Sequence, residues 1–274
     1  MNLANYLNPK FVFNLSLLVE NHFSSQAYEK AKKILKKFNK KDNFYHWYRI
    51  KKEAQIIAKQ RNSEESLNYI ISNFNKINQL NDKILFDVAN FYKKSKDYNQ
   101  AINYYSKIIN NLDDTSNIKS DLLYRRGGSY ERIENYKEAD KDLLHALRID
   151  PEDAYILNYL AYSWLERNYK INEAIKMLEK AYSSKSNDPY IIDSIGWAYY
   201  LIDDYLKAEK FLKRAVELMP DDPIVNDHYG DILWKLNRKI QARYFWANVL
   251  KMNDTKKEMI EKINIKMVNG IKSS

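Results

Sequence analysis

Cysteine is absent from the 274 residues, and glycine and proline each occur only five times. Without cysteine the chain can form no disulfide, zinc ribbon or iron–sulfur cluster, and it has no thiol nucleophile. A sheet protein needs a residue with positive φ at most of its tight turns, and five glycines supply too few of them. With 45% apolar residues the chain is also too hydrophobic for intrinsic disorder. These absences favour an all-α fold with short connections.

Long hydrophobic runs are also missing. The best candidate, Phe11–Val19, is a short run with two polar side chains inside it, whereas a membrane-spanning helix needs about 20 apolar residues. As a signal peptide it has a weak basic region before it and a poor cleavage site after it. Its apolar spacing instead fits the first helix of a repeat. We therefore expect a cytoplasmic protein, or a periplasmic or cell-envelope protein if an N-terminal segment is missing.

The net charge of +9 is unevenly distributed along the chain. Residues 1–119 hold 20 basic and 11 acidic side chains, whereas residues 120–256 hold 21 and 23. Lysine far outnumbers arginine, and Lys, Asn, Ile and Tyr are all abundant, as an AT-rich genome would also produce. The basic excess therefore belongs to the N-terminal part and the tail, and we expect no nucleic-acid partner because it avoids the part with the clearest pattern.

A period of 34 residues runs through the C-terminal half. Small residues recur at intervals of 34, 35 and 34: Gly127, Ala161, Gly196 and Gly230. A larger residue follows each small one by three positions: Tyr130, Trp164, Tyr199 and Leu233. Each unit then has an alanine, a large apolar residue four positions later, and a small or β-branched residue three positions after that: Ala139, Leu143 and Ala146; Ala174, Leu178 and Ala181; Ala208, Leu212 and Ala215; Ala242, Trp246 and Val249. Two of the units end with a proline, Pro151 and Pro220. A fixed period of this length indicates stacked copies of one helical unit.

This pattern resembles the tetratricopeptide repeat, in which small residues let two antiparallel helices approach closely and proline ends the second helix. The resemblance implies an all-α, right-handed superhelical solenoid of helix pairs with a C-terminal capping helix. The segments 192–200 and 226–234 are similar to the last repeats of proteobacterial tetratricopeptide proteins, several of which are exported or lipid-anchored adaptors.

Four regions follow from this register. Residues 1–11 form a lead-in, 12–119 form degenerate repeats, 120–256 form four well-formed repeats, and 257–274 form the capping helix. The second clear unit has one extra residue, which falls in the turn 167–171, where an insertion costs least. On the capping helix we expect one apolar face: Met259, Ile260, Ile263, Met267 and Val268.

No catalytic, metal or cofactor site is visible in the sequence. The four histidines lie in different units and have no ligand spacing. His228 and Asp231 are three residues apart on one helix and could meet there, which we interpret as a structural hydrogen bond. The pair Gly127-Gly128 lacks the pattern of a phosphate-binding loop. The sequence therefore predicts a protein that is not an enzyme and holds no cofactor.

The resemblance assigns partner contacts to a concave groove lined by the first helix of each unit. At those places stand Tyr124, Asn158, Tyr162, Asp193, Trp197, Tyr200, Asp227, Asp231 and Trp234. Aromatic side chains give large contact areas at low entropy cost, and an asparagine amide can bind a peptide backbone. We expect a non-catalytic scaffold or adaptor whose protein or peptide ligand carries apolar and basic side chains. A clamp for a C-terminal carboxylate would need Lys and Arg here instead of Asp.

Two alternatives remain open at the sequence level. The run Lys32–Lys41 places lysines around an apolar stripe, which fits a solvated helix face or peripheral contact with an anionic membrane surface. The chain could also be the regulatory half of a longer enzyme or envelope lipoprotein.

Overall fold

The structure is a computed structural model that describes residues 12–39, 42–74, 77, 80–114, 116–253 and 255–271. Within those ranges it contains helices and no strand, which confirms the all-α fold. The helices, numbered here in chain order, are α1 Val12–Ser24, α2 Tyr28–Leu35, α3 Asn43–Gln60, α4 Ser63–Phe74, α5 Asp82–Lys94, α6 Tyr98–Ile109, α7 Asn117–Arg132, α8 Tyr136–Ile149, α9 Ala154–Glu166, α10 Ile171–Ser184, α11 Pro189–Leu201, α12 Tyr205–Leu218, α13 Pro223–Lys235, α14 Lys239–Val249 and α15 Lys257–Asn269. The predicted lead-in 1–11 lies outside the described residues.

The chain divides into two compact units. The first comprises residues 1–113 and 125–139, and the second comprises 114–124 and 140–274. In the first unit α1 packs against α2, α3 against α4, and α5 against α6. In the second unit the hairpins α9–α10, α11–α12 and α13–α14 follow one another, and α15 packs against α14. The candidate site described below lies entirely in the second unit.

Buried residues lie at the places that the period marks, in the second unit and in residues 125–139 of the first. The four small residues, the two series of alanines and the large residues between them are all buried. Two contacts explain why glycine stands at the small place: a methyl group on Gly196 would lie 2.8 Å from Cγ of Leu212, and one on Gly230 would lie 2.5 Å from Cδ1 of Trp246. Atoms this close to a buried side chain force it to move. At these points the large side chain of the second helix therefore packs directly against the glycine backbone of the first helix.

The helix ends have local causes that can be read in the sequence. Asp153, Asp188 and Asp222 cap the N-termini of α9, α11 and α13, and each carboxylate accepts two backbone N–H bonds, as at 2.8 and 3.0 Å for Asp153. Proline is the first residue of α11 and of α13, where its missing N–H costs nothing. As predicted, Pro151 and Pro220 follow the ends of α8 and α12.

The turns inside the hairpins use residues other than glycine. Positive φ angles between 46° and 65° occur at Gln26, Lys96, Glu134, Asn168, Lys170, Asp203 and Asn237. Each of these residues lies in the turn between the two helices of one pair. The turn 167–171, with its extra residue, is the one that has two of them. Scarce glycine therefore does not mean scarce positive φ in this fold.

The apolar face predicted for α15 is partly wrong. Ile263 is fully buried, but Val268 is 77% exposed. Five residues separate the two, which at about 100° per residue turns Val268 away from the face of Ile263. Lys266, three residues after Ile263, shares that face instead.

Candidate functional site

A small cavity opens on the side of the second unit where α9, α11 and α13 follow one another. Its volume is about 170 Å³. Its walls come from these three helices and from the cap of α13, and consist of Asn158, Tyr159, Tyr162, Tyr190, Asp193, Ser194, Asp222, Ile224 and Val225. We call this the Asn158 cavity. Most of its lining is aromatic or aliphatic, so it suits an apolar group of a ligand.

One polar atom in the wall of the Asn158 cavity lacks a partner. The side-chain oxygen Oδ1 of Asn158 is buried and accepts no hydrogen bond. A buried acceptor without a donor costs about 1 to 3 kcal/mol, so such atoms are rare in folded proteins. Because Asn158 lines the cavity, a small rotation of its amide would present the oxygen to an N–H or O–H group there.

Exposed apolar side chains surround this cavity. Tyr190 is 59% exposed, Ile224 is 47% exposed, and Tyr155, one repeat before Tyr190, is 51% exposed. All three stand two residues after a capping aspartate, in the first turn of α11, α13 and α9. Their rings and methyl groups are therefore available to a partner without any rearrangement of the core.

Farther along the same three helices, the predicted contact residues are engaged inside the protein. Asp193 is 4% exposed, and its Oδ2 lies 2.9 Å from Nδ1 of His228. The ring of Trp197 stacks on His228, at 4.1 Å between centroids, and on Tyr200, at 4.6 Å. Two neighbouring rings of the protein thus engage this indole. The pair predicted for His228 is wrong, since its partner is Asp193 of the preceding repeat and not Asp231.

Asp227 and Asp231 are paired with a lysine that the sequence analysis did not consider. Nζ of Lys266, on α15, lies 2.6 Å from Asp227 and 2.7 Å from Asp231. Asp231 also accepts a bond from Nε1 of Trp246 at 3.0 Å. Lys266 stands outside the 34-residue period, so no repeat position could have identified it.

Burial and charge shift the pKa values of this cluster. Burial raises the pKa of Asp231 to about 6, and the neighbouring Asp227 acts in the same direction. Burial alone would lower the pKa of His228, but Asp193, with Asp227 and Asp231, outweighs it and the pKa lies above its ordinary value. The pKa of Lys266 also lies above its ordinary value, because the charges of Asp231 and Asp227 more than compensate for the effect of burial. The network therefore keeps its two cations charged next to the carboxylates.

The remaining predicted residues divide between the two environments. Tyr162 lines the Asn158 cavity, and burial, reinforced by Glu166, raises the pKa of its hydroxyl. Tyr124 lies edge-on to Tyr159, with ring centroids 5.5 Å apart. Trp234 packs 5.4 Å from Trp246 and is covered by the backbone of Gly270. The structure thus brings Asn158 and Tyr162 together at an open cavity, and their contact with a partner stays a prediction.

The basic run and the absence of membrane and metal sites are the remaining features that the sequence predicts. In the basic run Lys32–Lys41, Lys32 bonds Glu29 at 2.8 Å, while Lys33, Lys36 and Lys37 are exposed; Lys40 and Lys41 lie outside the described residues. Among the residues that the structure describes, no helix has the length and apolarity needed to cross a membrane. In the same ranges, no three His, Asp or Glu side chains group as metal ligands would.

Comparison with known proteins agrees with the repeat register. The tetratricopeptide repeat family matches residues 82–110, 120–153 and 191–222. A TPR repeat-containing protein of Pseudomonas aeruginosa is 32% identical over 110 residues, which are 40% of this chain and 18% of that protein. Anaphase-promoting complex subunit 3 of Schizosaccharomyces pombe is 22% identical over 120 residues, which are 44% of this chain and 17% of that subunit.

A solved structure shows the same fold over nearly the whole chain. The tetratricopeptide repeat protein from Parabacteroides merdae superposes with a TM-score of 0.73 at 17% identity, covering 93% of this chain and 98% of that one. The chain spans less than a fifth of the length of the two curated relatives above. The family match, the relatives and the solved structure agree with the helix pairs, and the chain therefore contains tetratricopeptide repeats at residues 82–110, 120–153 and 191–222.

Proposed function

We propose that this chain is a non-catalytic adaptor that binds a polypeptide segment at the Asn158 cavity. The observation that carries the proposal is the unpartnered Oδ1 of Asn158, buried in the wall of an apolar cavity of about 170 Å³. A backbone N–H of a bound peptide would satisfy this oxygen, while an adjacent apolar side chain would fill the cavity.

The surroundings of the cavity favour a polypeptide over a small molecule. The exposed side chains of Tyr155, Tyr190 and Ile224 stand about one repeat apart, each on the first helix of its hairpin. They therefore form a row and not an enclosed pocket. An extended segment can contact such a row at several of its own residues. The similarity to a subunit of the anaphase-promoting complex, a multi-protein assembly, also favours protein partners.

The chemistry of the site supports a ligand that is mainly apolar at this end. The carboxylates of Asp193, Asp227 and Asp231 are already paired inside the protein. In the lining of the Asn158 cavity, Asn158 adds a buried acceptor without a partner, beside several aromatic rings. A ligand with an apolar side chain next to a free backbone N–H matches this set.

The experiment is a peptide selection followed by affinity measurements. A random peptide library is selected against the wild-type chain, and the best peptide is titrated by fluorescence anisotropy. Tyr190→Ala combined with Ile224→Ala is expected to weaken binding at least tenfold while leaving the helical circular-dichroism spectrum unchanged, because both side chains are exposed. Tyr244→Ala, which removes a 62% exposed ring on α14 away from the cavity, is the matched control. Equal affinities for all three proteins would contradict the proposal.

A further inference from the structure

The C-terminal helix α15 covers one end of the face on which the Asn158 cavity lies. Lys266 reaches Asp227 and Asp231 on α13, with Nζ–O distances of 2.6 to 2.8 Å. The backbone of Gly270 lies so close to Trp234 that any side chain at that position would overlap the indole. Three of the nine residues that the sequence assigns to partner contact are therefore occupied by a segment of the same chain.

The attachment of α15 depends on few apolar contacts. Ile263 is the one residue of α15 whose side chain is fully buried, whereas the shorter helix α14 buries Ala242, Trp246 and Val249. A backbone carbonyl, that of Met267, accepts a bond from Nε of Arg243 at 3.1 Å. Elements with little buried apolar surface open at the lowest free-energy cost. Polar contacts around Lys266 thus make up much of what holds α15 in place.

The outer surface of α15 leaves aliphatic side chains exposed to solvent. Ile265 is 60% exposed and Val268 is 77% exposed. The inner surface presents one ammonium group to two carboxylates, beside an isoleucine that is fully buried. A partner helix with a Lys or Arg three residues after an aliphatic side chain would present the same groups to α13.

We propose that α15 is a displaceable strap that occupies the C-terminal part of the partner-binding face, and that a helical partner segment carrying Lys or Arg takes its place. The proposal rests on the proposed function, since it extends the same face beyond the Asn158 cavity. A cation from the partner is required, because removing Lys266 alone leaves the buried carboxylate of Asp231 beside the half-buried one of Asp227 without a counter-charge. Apolar ligands would bind at the cavity with the strap closed.

The test uses the full-length chain with Lys266→Glu, which places a third carboxylate against Asp227 and Asp231. The matched control is Lys262→Glu, an identical charge change at an exposed position on the same helix. Hydrogen–deuterium exchange of residues 257–269 is expected to be at least tenfold faster in Lys266→Glu than in wild type, and unchanged in Lys262→Glu. Unchanged exchange in Lys266→Glu would overturn the proposal.

Occupancy by a second segment is measured with a labelled synthetic peptide of residues 257–271. This probe is expected to bind Lys266→Glu at least tenfold more tightly than wild type, because the wild-type site is filled. A probe that itself carries Lys266→Glu should bind neither protein. Equal binding of the normal probe to both proteins, or to neither, would overturn the proposal.

Two readouts keep this test separate from that of the proposed function. Exchange in α9–α12 reports whether the repeats stay folded, and Lys266→Met, which keeps most of the side-chain stem, replaces Lys266→Glu if they do not. The Tyr190 and Ile224 variants test the cavity without touching α15. If they leave peptide binding intact while the strap opens as expected, the cavity assignment fails and the strap does not.

Discussion

The contact between Gly230 and Trp246 gives the sharpest stability prediction. Gly230→Ala would place a methyl group 2.5 Å from Cδ1 of an indole that is fully buried. Overpacking of this kind costs about 1 to 3 kcal/mol, and displacing the indole also disturbs the 3.0 Å bond from Nε1 to Asp231. The higher helix propensity of alanine raises the unfolding free energy by about 1 kcal/mol. With about 1 kcal/mol for the disturbed hydrogen bond, we expect a net loss of about 2 kcal/mol.

Another hairpin of the same chain combines a larger residue at the small place with a smaller side chain opposite it. In the hairpin α9–α10 the corresponding residues are Ala161 and Leu178, both fully buried. Combining Gly230→Ala with Trp246→Leu recreates that pair in α13–α14. In the Trp246→Leu background we expect Gly230→Ala to be neutral or stabilising by about 1 kcal/mol.

A double-mutant cycle measures this difference. Urea unfolding of the four proteins is followed by far-ultraviolet circular dichroism, with hydrogen exchange of α13 and α14 to confirm that the loss is local. The expected coupling free energy is about 3 kcal/mol, the upper range for residues in contact. An equal cost of Gly230→Ala in both backgrounds would refute the packing argument.

Three further predictions concern the turns, the caps and the buried network. Lys96→Gly should raise the unfolding free energy by about 1 kcal/mol relative to Lys96→Ala, because the residue has φ 65°; equal stabilities in a thermal melt would refute this. Asp188→Ala should cost about 1 kcal/mol through loss of the cap bonds to α11, and Asp188→Asn much less, as urea titration can check. Asp231 has a pKa of about 6 when folded against an ordinary value of 3.8, so the folded chain binds the extra proton and stability falls as pH rises through that window. Asp231→Asn should therefore gain about 2 to 3 kcal/mol relative to wild type between pH 4 and pH 7, and a constant difference across this range would contradict the pKa assignment.

The helix pairs and their packing could be predicted because the repeat imposes the same steric demand every 34 residues. Gly196 and Gly230 stand where a large side chain of the paired helix packs against the backbone, and Asp188 with Pro189 marks a helix start by local chemistry alone. Turn residues were less accessible: Asn168, Asp203 and Asn237 are residue types that tolerate positive φ, but Gln26, Lys96 and Glu134 carry no such signal.

The candidate site could be predicted only in part, because its electrostatics depend on contacts between different repeats. Asp193 and His228 lie 35 residues apart and belong to consecutive units, so local spacing does not pair them. Lys266 lies beyond the last repeat. The helix period predicts that it shares a face with Ile263, but not which carboxylates it contacts. The unpartnered Oδ1 of Asn158 is a property of its surroundings that no sequence pattern contains.

The most direct test of the central claim, that the Asn158 cavity is a binding site, is a paired measurement on Asn158→Leu. Leucine keeps the branched shape and the number of side-chain heavy atoms of asparagine and removes the unpartnered acceptor, so the free protein should become more stable by about 1 to 3 kcal/mol. The same change should weaken binding of the selected peptide at least tenfold, because the ligand N–H then lacks its acceptor. A variant that is destabilised, or that binds the peptide as tightly as wild type, would contradict the account.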